Sequence, residues 1–221
     1  MGAYLWYDRP FKIESLGEPM IMKTRIRDQW RNPEQQASTE DNARALAYIC
    51  WQLALTATRN LHAEDFLYQN DNQRVAVIRE YLVFLVHTAD RLAFAALDET
   101  QRTPFISLLA HDCADHLQRN AHEILGDGDY AGQFIEMLNQ RNSGYGRCTF
   151  DNGQAGYSLL RTFGDHIQAI MGQDQTNRWV IDQIMDIDGP EVVAQLATSL
   201  RKLSAHNKPA ESGKTRPTTT N

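Results

Sequence analysis

The chain is poor in the features that would assign it a compartment or a chemistry. Its three cysteines, Cys50, Cys113 and Cys148, are an odd number without C-x-x-C spacing, which argues against both a disulfide framework and a zinc knuckle. There is no basic block, and 22 Lys and Arg against 28 Asp and Glu leave a formal charge of −6 and a pI near 5.6. The chain therefore lacks the cationic density that neutralises a nucleic-acid backbone, and no nucleic acid is expected as a partner. No uncharged apolar run approaches the roughly 18 to 20 residues that span a bilayer, and "MGAYLWYDRPFKIE" has neither a basic leader nor an apolar stretch of signal-peptide length. Trp6 stands where a myristoylation signal wants Ser or Thr, so Gly2 is not read as a lipid site. A cytoplasmic protein without membrane contact and without disulfides is the expectation. Repeats at solenoid spacing are missing as well.

What the chain does have is helical period. Its 221 residues, 42% of them hydrophobic, are enough for one sizeable core. "STED" at 38–41 offers a helix cap with acidic residues in the first turn, and Leu46, Ile49, Cys50, Leu53, Ala57 and Leu61 follow at spacings of three and four, which predicts a helix to about His62. A second helix is predicted over 72–97, with Ile78, Leu82, Leu85, Ala89, Leu92 and Ala96 on one stripe. Its centre, "YLVFLVH", is apolar on nearly every side, which places it among other helices at the middle of the domain. Thr103 as cap and Pro104 at the first helical position predict a third helix to about Leu125. A shorter helix carries Phe134, Ile135, Met137 and Leu138, and "NSGYGRCTFDNGQAG" reads as a long loop. A further helix uses Leu159, Leu160, Phe163, Ile167, Ile170 and Met171. "RWVIDQIMDI" and "EVVAQLATSLRKL" form a last pair, with Gly189-Pro190 expected to stop or kink the helix between them.

These elements predict an all-α, up-and-down bundle of about six helices, a single domain over 38–206. Residues 1–37 carry Tyr4, Trp6, Tyr7, Phe11, Ile13, Met20, Met22, Ile26 and Trp30 without helical period. They read as an irregular or short-strand arm packing on the bundle. The polar stretch 207–221, with its prolines and threonine run, reads as a disordered tail.

Two sets of residues are candidates for a site. Glu80, His87, Asp90 and Arg91 lie on the central helix, where Phe84 links Glu80 to His87 at spacings of four and three and Arg91 follows at four. Acid, aromatic, base and cation thus share one seam, and buried groups of this kind must find partners. The seam is either an internal salt bridge and hydrogen-bonded histidine that fix helix register, or a pocket holding a small anionic ligand on Arg91.

The second set is His87, the adjacent pair His111-Asp112, and Asp165. Their order, together with "SLLAHD", resembles the HD phosphohydrolases, and the resemblance implies a metal that activates water for attack on a phosphate ester. Helical rotation of about 100° per residue tests it. Counted from the stripe Ile106, Leu109, Cys113, Leu117, Ala121 and Ile124, His111 lies roughly 160° away, facing outward. The same count sets Asp165 nearly opposite Phe163 and Ile167. The chain also continues as "CADHLQ" where the family has an apolar residue and a glycine. No Glu stands three residues before a His, so a dinuclear carboxylate site is not encoded. "GYGRC" at 144–148 reads as a connector rather than a phosphate cradle, and "ESGKT" at 211–215 lacks the earlier glycine of a phosphate-binding loop. No metal and no cofactor are expected, and a helical accessory or interaction protein, self-associating or bound to another protein, is the leading functional reading.

Overall fold

Ser38 opens the first helix as its sequence predicts. The Ser38 Oγ accepts from the Asp41 N–H at 3.0 Å and the Asp41 carboxylate accepts from the Ser38 N–H at 3.1 Å, a reciprocal cap that satisfies otherwise orphaned donors. In the computed structural model, which describes residues 38–205, this helix is α1 (Thr39–Ala63). The arm expected over 1–37 and the tail beyond 206 lie outside the described residues. After α1 come α2 (Asp71–Phe94), α3 (Glu99–Leu125), α4 (Tyr130–Gly146), a hairpin of β1 (Phe150–Asp151) and β2 (Gln154–Ala155), and α5 (Tyr157–Met171). A 3-10 turn (Gln175–Trp179), the single turn α6 (Val180–Gln183) and a π turn (Ile184–Asp188) then lead into α7 (Gly189–Ala205). The architecture is the all-α bundle the periodicity predicts.

Helix α2 is its axis. Tyr81 to Val86 are buried without interruption, and α1, α3, α4, α5 and α7 all pack on this helix. That is what a helix without a polar face requires. Its apolar side chains and those of its neighbours join in one hydrophobic cluster. Helices α1 and α3 pack closely, each burying small residues (Ala43, Ala47, Cys50 and Ala54 on one; Ala110, Cys113, Ala114 and Ala121 on the other), and the Cys50 and Cys113 thiols meet between them. All three cysteines are free thiols, and Cys50 and Cys113 are core-filling as expected.

Three local expectations are corrected. The cap of α3 is Asp98, not Thr103: its carboxylate accepts from the Gln101 N–H at 3.0 Å and the Thr100 hydroxyl at 2.6 Å, and Pro104 lies inside the helix. Proline is tolerated there because the bond it forgoes is to the carbonyl of the exposed Thr100, close to the helix start. Gly189-Pro190 does open a new helix, with Pro190 in the first turn of α7 as the pattern predicts, but the chain reaches it from α6 through a π turn and not through a stop. Gly189 keeps helical angles (φ −61°, ψ −53°), and the π turn just before it widens the backbone where the ring of Pro190 would otherwise meet the carbonyl of Asp186. A Cβ on Gly189 would stand 2.6 Å from both the Ile184 carbonyl oxygen and Leu160 Cδ2, so only glycine lets the widened turn lie against α5.

The third correction concerns the stretch read as one long loop from Asn142. Helix α4 runs on through it to Gly146, and a hairpin follows, turning on Asn152 (φ 51°) and Gly153 (φ 75°). Asn-Gly supplies the two positive φ angles that a two-residue hairpin turn needs. The flanking strands are only two residues each, too short to show alternation in the sequence.

The π turn also sets the one buried carboxylate near α7 that burial keeps protonated more readily than usual. Asp188 is 3% exposed and accepts from the Tyr81 hydroxyl at 3.0 Å and Gln183 Nε2 at 3.1 Å. Burial raises its pKa, those two hydrogen bonds only partly oppose the rise, and Glu191 and Glu64 add to it. A carboxyl whose folded pKa is raised contributes stability that is complete below the unfolded value, about 3.9, and is lost as pH climbs through the folded one. Asp188→Asn should therefore raise the urea midpoint at pH 7, with the advantage vanishing in acid where Asp188 itself is neutral. A variant less stable than the parent at pH 7 would contradict this account.

Candidate functional site

Glu80 stands on α2 with its side chain 0% exposed. Arg141 of α4 grips it with both ends of the guanidinium, Nε to Oε1 at 3.2 Å and Nη2 to Oε2 at 3.2 Å. The Tyr145 hydroxyl, one turn further along α4, donates to Oε1 at 3.0 Å. His166 of α5 brings Nδ1 to 3.1 Å from the same oxygen and to 3.1 Å from the Tyr145 hydroxyl. One carboxylate thus joins three helices. Burial alone would raise the pKa of Glu80, but the hydrogen bonds from His166 and Arg141 outweigh it and hold the carboxyl below its ordinary value. Burial, with the Glu80 carboxylate beside it, pushes the Tyr145 phenol well above its ordinary value, so the hydroxyl stays a donor.

The rest of the seam converges on the same tyrosine. Phe84 meets the Tyr145 ring edge-on at 6.0 Å between centroids, and stacks on Phe163 of α5 at 4.0 Å and 7°. The His87 ring lies 5.2 Å from that of Tyr145, and its Nε2 is 3.1 Å from the Leu138 carbonyl oxygen. That carbonyl can only accept, so Nε2 carries the proton, and burial lowers the pKa of the imidazole and favours its neutral form. Arg91 donates to the carbonyl oxygens of Tyr145 and, at 2.9 Å, of Cys148, and its guanidinium lies 5.8 Å from the Phe150 ring centroid. The Tyr145 carbonyl belongs to the last turn of α4 and Cys148 follows its cap residue Arg147, and a cation is favoured at this end by the unpaired acceptors and by the helix dipole. Asp90 points elsewhere, to Arg102 of α3 at 2.5 Å.

The structure therefore brings Glu80, His87 and Arg91 together around α4 and sends Asp90 to α3. Arg141, Tyr145 and His166 were not among the sequence candidates. A signal for two of them was present, since Phe134, Leu138, Arg141 and Tyr145 stand at spacings of four, three and four. The glycines at 144 and 146 obscured it. A helix interior loses about 1 kcal/mol per glycine relative to alanine; here the burial of Tyr145 and the cap supplied by Arg91 offset that loss.

The four residues that resemble an HD site do not converge. His111 is exposed and its Nδ1 lies 2.7 Å from the Ser107 carbonyl oxygen on its own helix. Asp112 faces Arg44 of α1 at 3.9 Å, and Asp165 is exposed and paired with Arg161 at 3.0 Å. Among the described residues no group of three or more His, Cys, Asp and Glu is placed to hold a metal ion. Likewise no helix among them is long and apolar enough to cross a membrane. "GYGRC" is divided between the end of α4 and the approach to β1, and "ESGKT" lies outside the described residues.

Among the described residues, an apolar groove of about 570 Å³ lies at one end of the bundle. Leu92 and Ala96 from the end of α2, Gly153 from the hairpin turn, and Ala197 and Leu200 from α7 line it, with Arg201 at its rim. Gly153 packs close to α2, its missing Cβ falling 3.7 Å from Leu92 Cδ2. The hairpin thereby forms one wall of the groove. No protein family, no curated protein and no solved structure matches the chain.

Proposed function

We propose that the protein is a non-enzymatic helical interaction protein that associates with itself or with another protein through the end of the bundle bearing the groove. The observation that carries this reading is a division of labour in the side chains. The polar groups of the α2 seam are bonded to α3, α4 and α5, with Arg91 engaged by backbone carbonyls, whereas the groove between α2, α7 and the hairpin is open and mostly apolar. Buried charges held in this way fix how helices pack, and an apolar concavity at a surface is what proteins use for contacts. The aromatic and apolar side chains between Tyr4 and Trp30 are the natural complement to such a surface.

Removal of residues 1–30 is expected to leave apolar surface uncovered and to change the oligomeric state seen by light scattering, while helical circular dichroism is retained. A truncated protein with the same oligomeric state as the full chain would defeat the proposal.

A further inference from the structure

We infer that the groove lined by Leu92, Ala96, Ala197 and Leu200 is the seat of this chain's own N-terminal segment, residues 4–30, folded back in cis. The inference goes beyond the interaction reading above: it names what covers the groove when no partner is engaged.

Three observations lead there. The first is where the segment joins the bundle. Helices α1 and α2 are joined by the short connection 64–70 and pack on one another, so the start of α1 lies at the same end as the last turn of α2. Leu53, Ala57 and Asn60 in the second half of α1 stand beside Asp188, at the end of the π turn, and Val192 and Gln195, in the first turns of α7, so α7 runs opposite to α1 and finishes at that end too. Ser38 therefore delivers the preceding chain to the end of the bundle where Leu92, Ala96 and Leu200 form the groove.

The second is reach and composition. An extended residue covers about 3.3 Å, so a dozen residues before Ser38 span roughly 40 Å, comparable to the length of the longest helix here at about 1.5 Å per residue. Tyr4, Trp6, Tyr7, Phe11, Ile13, Met20, Met22, Ile26 and Trp30 offer large apolar side chains, spread along the chain without helical period. Within 4–30 the charges are interspersed and leave a slight positive excess, Arg9, Lys12, Lys23, Arg25 and Arg27 against Asp8, Glu14, Glu18 and Asp28. No net repulsion from the acidic body opposes docking.

The third is that the competing segment of this chain has the wrong chemistry. The residues after Ala205 also leave α7 beside the groove, where Ser204 is part of its wall. However, "HNKPAESGKTRPTTTN" contains no large apolar side chain that would fill an apolar concavity. Burial of apolar area is what makes such a groove favourable to occupy.

Photo-crosslinking on the full chain tests the seat. A benzoylphenylalanine replaces Arg201 in one variant and Gln154 in a second; both residues are exposed at the rim, so the floor remains intact. A third variant with the same group at the exposed Arg119 of α3 sets the background. The expected result is a product of monomer mass whose crosslinked peptide lies within 4–30, at least ten-fold above that background. The product should be lost when Tyr4, Trp6, Tyr7, Phe11 and Ile13 are all changed to Ser. A product of dimer mass overturns the cis seat and leaves the interaction reading standing. A crosslink to 206–221, or none above background from either rim position, also overturns it. An intramolecular crosslink to 4–30, in a protein whose oligomeric state is unaltered by the truncation, upholds the seat and removes the interaction reading.

Discussion

Replacing Glu80 with alanine is expected to destabilise the fold by about 3 to 5 kcal/mol, the range found when one member of a buried ion pair is removed. This is a large part of a domain's total stability of about 5 to 15 kcal/mol. The loss should sit toward the lower end, because Arg141 is 28% exposed and can turn its charge to water. Tyr145 is fully buried and cannot, so its hydroxyl is left with His166 alone. The effect has a pH signature. A carboxyl whose folded pKa is depressed contributes stability above the unfolded value and loses it as pH falls through the folded one. The difference between the parent and Glu80→Ala in urea midpoint should be full at pH 7 and shrink below about pH 4. Glu80→Gln, which keeps an acceptor for Tyr145, should cost less than the alanine variant. A loss under about 1 kcal/mol at neutral pH, the scale of an exposed pair, would show that the carboxylate does not hold the three helices together.

Phe84→Ala is expected to cost a similar amount, about 3 to 5 kcal/mol, from lost burial and from the cavity left behind. Phe84 is fully buried where α2, α4 and α5 meet, stacked on Phe163 and edge-on to Tyr145. The cavity adjoins the ring whose hydroxyl reaches Glu80, so both substitutions loosen the same tyrosine. Combining them should therefore cost measurably less than the sum of the two single losses, by 0.5 kcal/mol or more. Strict additivity in denaturant titrations would mean that the aromatic stack and the ion pair are energetically separate.

Both effects depend on Tyr145, and the loop expectation that failed around it has a physical cause. Glycines at 144, 146 and 153 read as loop residues, yet the first two are helical and only the third supplies a turn. A local propensity of about 1 kcal/mol is easily outweighed by packing elsewhere. Arg91 and Glu80, more than fifty residues earlier in the chain, supply that packing at the end of α4. The Gly189-Pro190 pair marks the start of α7 as its sequence predicts, but what the sequence does not show is that the backbone widens to a π turn there instead of ending, with α5 close alongside. By contrast, the outward phase of His111 and Asp165 was legible at once, because rotation about a helix axis is a property of that helix alone.

What the sequence determined by itself is therefore what repeats every few residues: the helical class, the stripes facing the core, the central place of α2 and the cap at Ser38. Each arises from neighbours within a turn or two, and a linear pattern records them. Tertiary structure alone decided which polar side chains meet, namely that Glu80 takes Arg141, Tyr145 and His166 while Asp90 takes Arg102, and that α2, α7 and the hairpin leave a groove between them. The physical reason is that a buried charge must be matched by whichever donors the packing of separate helices brings within about 3 Å, and that separation in space is not written in separation along the chain.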